Sequence, residues 1–285
     1  MLNKILKLFF LFIVSSILMF MVSYIRAFDF RWHFIAAIIF GIALYYFSRW
    51  KFRDSWLPLI ILVAPHIVPL IVVIIYSMPL DEFLVVFPGF IAVPVAVLFA
   101  HLLHHQSKRI KYAAYSGFGL ICLWVAFAQI DYLIHYNDFG SFSGHIEPVP
   151  ITEISLARED GTLFDFSKTE QWLLLDFWHS RCGSCFIQFP KFQQVYDKSL
   201  EIGNLEVYSV NYLLRNEIPT EINQKINDLG YSFENLFFKD SREELYKNFR
   251  VSVFPTYVIV KNHHIVFIGR LDNAEKFLNQ RGINL

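Results

Sequence analysis

"WLLLDFWHSRCGSCFIQFP" (Trp172–Pro190) sets an apolar run of strand length against two cysteines separated by two residues. Trp172–Phe177 is continuously apolar except for Asp176, as expected of a strand buried on both faces. After the cysteines, Phe186, Phe189, Phe192 and Val195 recur at helical spacing. Strand, Cys182-Gly-Ser-Cys185 and helix therefore follow one another directly. At the start of a helix this spacing puts both sulfurs on one side of the first turn, close enough to bond. Cys182 would lie at the positive end of the helix dipole, where unsatisfied N–H groups stabilise a thiolate and lower its pKa. Arg181, just before it, adds positive charge. Cys185, one turn deeper, would be more buried and less acidic. A nucleophile beside a resolving thiol is what exchange through a mixed disulfide requires.

Other uses of the pair fit less well. A zinc site needs two more ligands, and the chain's third and last cysteine is far away at Cys122. Haem attachment needs His after the second cysteine, and Phe186 follows here. A purely structural disulfide remains open, although so short a loop gains little entropy from closure.

Around this segment the C-terminal part reads as an α/β domain with a mixed sheet. "ITEISL" and "TLFDF" are short alternating stretches about a "REDG" turn, and "LEVYSVNYL" is a strand. "EINQKINDLG", closed by Gly230, and "REELYKNF" are helices. "TYVIV" and "HIVFIG" form a strand pair around "KNHH", and "NAEKFLNQ" is a final helix. "HYNDFGSFSGHIEPVP" (His135–Pro150), rich in Gly, Ser, Asn and Pro, reads as a linker.

The N-terminal part is a different material. The 285 residues are 55% hydrophobic and 18% charged, which is greasy for a soluble protein. The formal charge of zero conceals +5 over residues 1–135 and −5 over the rest. Five apolar stretches fit a bilayer: Ile5–Ile25, Trp32–Phe47, Leu57–Met78, Phe83–Leu103 and Ala113–Ile130. Pro65, Pro69, Pro88 and Pro94 would kink two of them. Lys4, Lys7, Arg49, Lys51, Arg53, Lys108, Arg109 and Lys111 fall on one side, which the positive-inside rule makes cytoplasmic. An odd number of spans then delivers the C-terminal domain outside. Ile5–Ile25 read instead as a cleaved signal peptide leaves that domain on the same side. His66 lies mid-span, and His101, His104 and His105 cluster at a span's inner end. They are candidate haem ligands or, more plainly, interhelical and interfacial histidines. Cys122, alone in the fifth span, has no mate for a transmembrane dithiol relay and reads as a small buried side chain. No like-charge run points to nucleic acid.

"LLLDFWHSRCGSC" resembles the active-site strand and turn of thioredoxins, in which an acid six residues before the first cysteine ends a buried strand. Pro190 matches the proline of the active-site helix, "VSVFPTYVIV" the segment of the family's cis-proline at Pro255, and Gly269 the glycine after the last strand. "EDGTLFDF" and the segment between Tyr208 and Asn248 are most similar to membrane-anchored TlpA/ResA-type thiol–disulfide oxidoreductases. The resemblance covers residues 151–285. Arg181 and Ser184 depart from it, standing where tryptophan and proline are usual.

The resemblance implies that Cys182 attacks a partner's disulfide and Cys185 resolves the mixed disulfide. It implies that Asp176, buried beneath the helix, takes the proton of Cys185. Its bland alternative is a strand-end acid facing water. Pro255, with Phe254 and Arg181 nearby, would border the substrate groove. Trp178 reads as packing and His179 as a polar loop residue.

The expected architecture is thus an α-helical membrane domain of about five transmembrane helices (1–134), a linker (135–150) and an α/β thioredoxin-like domain with a mixed central sheet (151–285). The expected function is thiol–disulfide oxidoreduction on cysteine-containing proteins outside the cytoplasm, in the reducing direction. It needs no cofactor, and requires a lipid bilayer and a membrane electron donor or acceptor. One alternative is a thioredoxin-fold copper chaperone, for which His263 and His264 are the nearby histidines. Another is a membrane sensor or assembly factor in which the thioredoxin-like domain only docks.

Overall fold

A computed structural model of the chain describes residues 2–25, 29–52, 59–61, 63–67, 80–151, 156–165 and 171–285. It divides into two compact units, Met1–Asn137 and Asp138–Leu285.

The first unit is helical: α1 (Leu2–Ile25), α2 (Phe30–Phe52), α3 (Leu80–Leu103) and α4 (Lys108–Trp124), with residues 59–61 and 63–67 helical as well. A π-turn, Val125–Gln129, joins α4 to α5 (Ile130–Phe139), making one unbroken helical run. Two helices are long and apolar enough to cross a bilayer, Phe30–Lys51 and Lys108–Phe139, and the apolar helices Phe9–Ile25 and Ile91–Leu103 are shorter. Five spans were expected. The first, second, fourth and fifth fall in helices, whereas most of the third, Leu57–Met78, with Pro69, lies outside the described residues. The second span is longer than the sequence reading gave it, because Phe30, Arg31 and the segment through Phe52 extend the helix at both ends. Helix α3 continues through Pro88 and Pro94.

Two helices of spanning length and an outward-facing set of apolar side chains suggest membrane association. Most of the apolar stretch in Lys108–Phe139 is uncovered among the described residues. Phe20, Ile39, Leu98, Leu102 and Leu120 are all more than half exposed, a surface that water would not tolerate and lipid would. Small residues let α2 and α3 approach: a Cβ at Gly41 would meet Ala96 Cβ at 2.7 Å.

The second unit is built on a seven-stranded mixed sheet. Its strands are β1 (His145–Pro150), β2 (Leu156–Ala157), β3 (Trp172–Trp178), β4 (Leu205–Tyr212), β5 (Asn235–Phe238), β6 (Thr256–Lys261) and β7 (His264–Gly269), in the order β1-β7-β6-β3-β4-β5-β2. β3, β4 and β5 run parallel, and the other pairings are antiparallel. This is the mixed sheet expected of a thioredoxin-like domain. The expected linker is corrected. Residues 135–139 finish a helix and His145–Pro150 is the edge strand on β7. Pro148 and Pro150 masked it in the sequence, yet proline is tolerated on an edge. Gly144 (φ +88°) leads into it where a Cβ would stand 2.3 Å from the Phe267 ring.

Strand alternation divides the core. Leu173, Leu175 and Phe177 face one layer with Leu245 and Phe249 of α8 (Arg242–Phe249). Leu174 and Trp178 face the other, with α6 (Gly183–Ile202), α7 (Pro219–Asp228) and α9 (Leu271–Asn279). Helix α6 ends at Gly203, whose φ of +69° is the left-handed conformation that closes many helices. Its inner face sinks Phe189 and Phe192 to full burial, each contributing roughly 1.5–3 kcal/mol of transfer free energy.

Phe192→Ala should therefore remove roughly 3–5 kcal/mol of protection from the β3 amides, read by hydrogen exchange on the full chain. A loss below about 1 kcal/mol would contradict this packing.

Candidate active site

Cys182 is the N-cap of α6, in extended conformation (φ −87°, ψ 93°), and its sulfur accepts from the backbone N–H of Cys185 at 3.2 Å. The two cysteines form a disulfide, with Cα atoms 5.3 Å apart. Both are buried, Cys182 at 6% exposure and Cys185 at 1%, so the first sulfur is the one nearer to solvent. Ser184 Oγ stands 3.4 Å from Cys182 Sγ and takes part in its hydrogen bonding. The expected order of a shallow and a deep cysteine is present, and its cause is the helix turn: Cys182 caps it, and Cys185 points into the layer that holds Trp178 and Phe189.

Asp176 lies on β3 between Leu174 and Trp178, and so on the α6 face of the sheet. It is 1% exposed, and neither carboxylate oxygen has a hydrogen-bond partner. An acid buried without partners resists ionising, and desolvation pushes Asp176 up to about 8. Opposite it in the β3–β6 register is Tyr257. That hydroxyl tempers the shift by proximity, in a geometry that does not form a hydrogen bond. The water-facing alternative for Asp176 is excluded.

The Phe254–Pro255 peptide is cis. Phe254 is half-buried, stacked on Tyr212 at 6.0 Å, edge-on to the His179 ring at 4.9 Å, and under the Arg242 guanidinium at 5.5 Å. His179 accepts the Arg181 N–H and its carbonyl accepts from Cys182 N, so it shapes the turn before the cysteines. Partial burial, more than the nearby Arg242, lowers its pKa. Ser180 donates to Glu217, whose other oxygen accepts from Leu214 N at 2.9 Å, tying the turn to the segment after β4. Trp178 is fully buried and donates to Ser209 Oγ at 2.6 Å, which fits the packing role.

A cleft of about 360 Å³ opens beside the cis-proline, lined by Ser184, Gln188, Phe254, Pro255, Tyr257 and Arg270 among others. Cys182 and Cys185 belong to the buried layer on the face of the sheet that carries Asp176, with Phe254 packed against it, while Phe254 and Pro255 line the cleft and neither cysteine nor Asp176 does. Arg181 is exposed, outside both the buried layer of the cysteines and the cleft lining. Gln188, Tyr257 and Arg270 were not anticipated. Gln188 has a helical-spacing signal relative to Ser184, but Arg270 reaches the cleft only through the turn after β7. His263 occupies the β6–β7 turn with φ +61°, and His264 starts β7, at the opposite end of β6 from Pro255. Among the described residues, no group of three or more His, Cys, Asp or Glu could hold a metal ion.

No family model matches the sequence, and no curated protein matches it. Solved structures do show likeness. The thioredoxin domain of a thiol-disulfide oxidoreductase from Bacteroides vulgatus is 15% identical at a TM-score of 0.41, over 49% of this chain and 99% of that one. StoA from Bacillus subtilis is 22% identical at 0.35, over 42% and 87%. A putative thiol:disulfide interchange protein DsbE from Chlorobium tepidum is 20% identical at 0.39, over 48% and 96%. These similarities span about half of the chain, and the chemistry of the site rests on its own residues.

Because the folded-state pKa of Asp176 is raised, the native state binds its proton more tightly than the unfolded chain. Its effect is absent below about pH 4 and grows as a penalty until pH passes about 8. Asp176→Asn should accordingly stabilise the domain by a few kcal/mol at pH 8, and by nearly nothing at pH 4. Hydrogen-exchange protection of β3 across that range checks it, and a pH-independent difference would contradict the buried neutral acid.

Proposed function

We propose that this chain is a membrane-tethered thiol–disulfide oxidoreductase acting as a reductase on protein cysteines outside the cytoplasm. The observation that carries the reading is the Cys182–Cys185 disulfide at a helix amino end, above a buried unpartnered acid and beside a cleft walled by a cis-proline. In the reduced form, the Cys182 thiolate attacks a partner's disulfide. A Cys182–partner S–S bond forms, and the other partner sulfur leaves as a thiolate and takes a proton from water. Cys185 then gives its proton to the Asp176 carboxylate, and its thiolate attacks Cys182 Sγ. The intramolecular disulfide closes and the second partner thiolate is released. Two electrons have passed from the enzyme dithiol to the partner. Phe254 and Pro255 offer backbone beside the cysteines for strand-like pairing with the partner chain.

The dithiol must then be regenerated. The chain has three cysteines, and Cys122 lacks a mate, so the two electrons come from a dithiol of another membrane protein. The excess of Lys and Arg at one set of helix ends supports a cytoplasmic N-terminus and an extracytoplasmic catalytic domain. The thioredoxin-like acid and the Gly183 that follows Cys182 support the reducing direction.

Full-length protein bearing Cys185→Ser should accumulate mixed disulfides with cysteine-containing proteins, detected as thiol-reversible bands on non-reducing gels. Adding Cys182→Ser should abolish them. Bands that persist in the double variant would overturn the reading. A Cys182–Cys185 reduction potential below about −200 mV supports the reducing direction, and one near about −120 mV overturns it.

A further inference from the structure

Two buried polar groups face one another behind the disulfide, and the steps above use only one. Asp176 on β3 and Tyr257 on β6 are direct partners in the antiparallel ladder, so both side chains project from the same face of the sheet. That face is the one packed under Cys182, Cys185 and Phe189. Each is 1% exposed. The Tyr257 hydroxyl and both Asp176 oxygens lack hydrogen-bond partners. A hydroxyl and a carboxyl paired in register, both dry and both unpaired, are a costly placement, since buried polar groups are ordinarily hydrogen-bonded. Tyr257 also lines the cleft at Pro255, so it stands between the buried acid and the groove.

We propose that Tyr257 is a positioning residue for Asp176: when the carboxyl releases its proton, the Tyr257 hydroxyl turns to donate a hydrogen bond to the carboxylate and sets the pH at which the acid can exist ionised. The proton balance is simple. In the resolving step, the Cys185 thiol proton moves to a carboxylate oxygen of Asp176, and Tyr257 keeps its own proton while its bond to that oxygen is lost. On the return, the carboxyl loses the proton to water reaching the cleft, and the hydroxyl re-forms its bond. Only this link to Cys185 rests on the proposed function. The coupling of the two side chains does not.

The groups around the pair make tyrosine a donor rather than an acid. Burial first, then the neighbouring Asp176, and after it the negative charges of Asp272 and Glu275 on α9, hold the phenol well above its ordinary pKa. Lys191 of α6 is bound to both of those carboxylates, to Glu275 at 2.5 Å. Its charge is therefore engaged at the surface rather than spent on Asp176. From α6 the facing groups are Cys182 and Cys185, neutral in the disulfide. No cation among these groups is directed at the acid; the hydroxyls beside it in register are those of Tyr257 and Ser209, and Ser209 Oγ already accepts from Trp178 Nε1.

The test is a carboxyl titration of the full chain in detergent, oxidised, with ¹³C-labelled aspartate, between pH 5 and about 10. Asp176→Asn assigns the signal. Tyr257→Phe keeps the ring and removes the hydroxyl, and thermal unfolding confirms that it folds. The expected result is an upward move of the Asp176 midpoint by about one pH unit. The acid limb of the pH–rate profile for cleaving a small aromatic disulfide should move by the same amount, about a tenfold loss of rate below the midpoint. A shifted titration in a protein that exchanges no disulfides would support the pair while sinking the proposed function. An unmoved Asp176 midpoint in Tyr257→Phe, with exchange intact, would overturn the pair while leaving that function standing.

Discussion

An acid sealed beneath a helix without a hydrogen bond is the constraint on which the site turns. Burial of Asp176 costs the fold stability at every pH above the acid's ordinary range, and nothing in its surroundings repays the charge with an ion pair. A core built for stability alone would place leucine there, as it does at Leu174 two residues earlier. The acid makes sense as a proton store. On the proposed function it is mostly protonated at neutral pH, and its ionised fraction, which grows as pH approaches about 8, accepts the Cys185 proton when that thiol must become a nucleophile.

The remaining features arrange reactivity around that store. Capping by Cys182 puts one sulfur among the free N–H groups of α6, while Cys185 is carried a turn inward and shielded. Pro255, which lacks a backbone donor, precedes β6 and lines the cleft with Phe254. The turn of His179 to Arg181 is fixed by backbone and ring contacts to Phe254 and by the Ser180–Glu217 bond, so the cysteine pair is presented from a rigid rim. Preorganisation of this kind matters because exchange requires three sulfurs in line.

How much of this was legible in the sequence follows from which signals are local. The strand, the cysteine spacing and the helix that follows are contiguous, so Cys182, Cys185 and Asp176 could be placed by position alone. The hairpin of β6 and β7 was equally plain, since both strands alternate about a short turn. Edge strand β1 was read as linker because prolines and glycines speak for turns until a neighbour's edge is known to be available. The four-residue β5 is too short to show a period. Tyr257 was seen as one more strand residue, because its meaning depends on a cross-strand register that only the folded sheet supplies. Arg181, adjacent in sequence to Cys182, is exposed and does not line the cleft. Nearness along a chain says little about the direction of a side chain at a helix cap. In the helical unit, apolar length alone made five segments look alike, whereas the described helices differ in length and in how far they are covered.

The outward-facing apolar side chains of the first unit and the dry polar pair of the second answer to the same rule from opposite sides: a group is placed where its surroundings match it, or it is held out of place for a purpose. The infrared spectrum of the oxidised full chain at pH 6.5, set against that of Asp176→Asn, tests that purpose most directly. A buried neutral acid predicts a protonated-carboxyl stretch that vanishes in the variant and survives exchange of the bulk solvent longer than surface groups do. A spectrum in which the substitution removes only an ionised-carboxylate band would mean that Asp176 is charged beneath the disulfide, and the account of the site would fail.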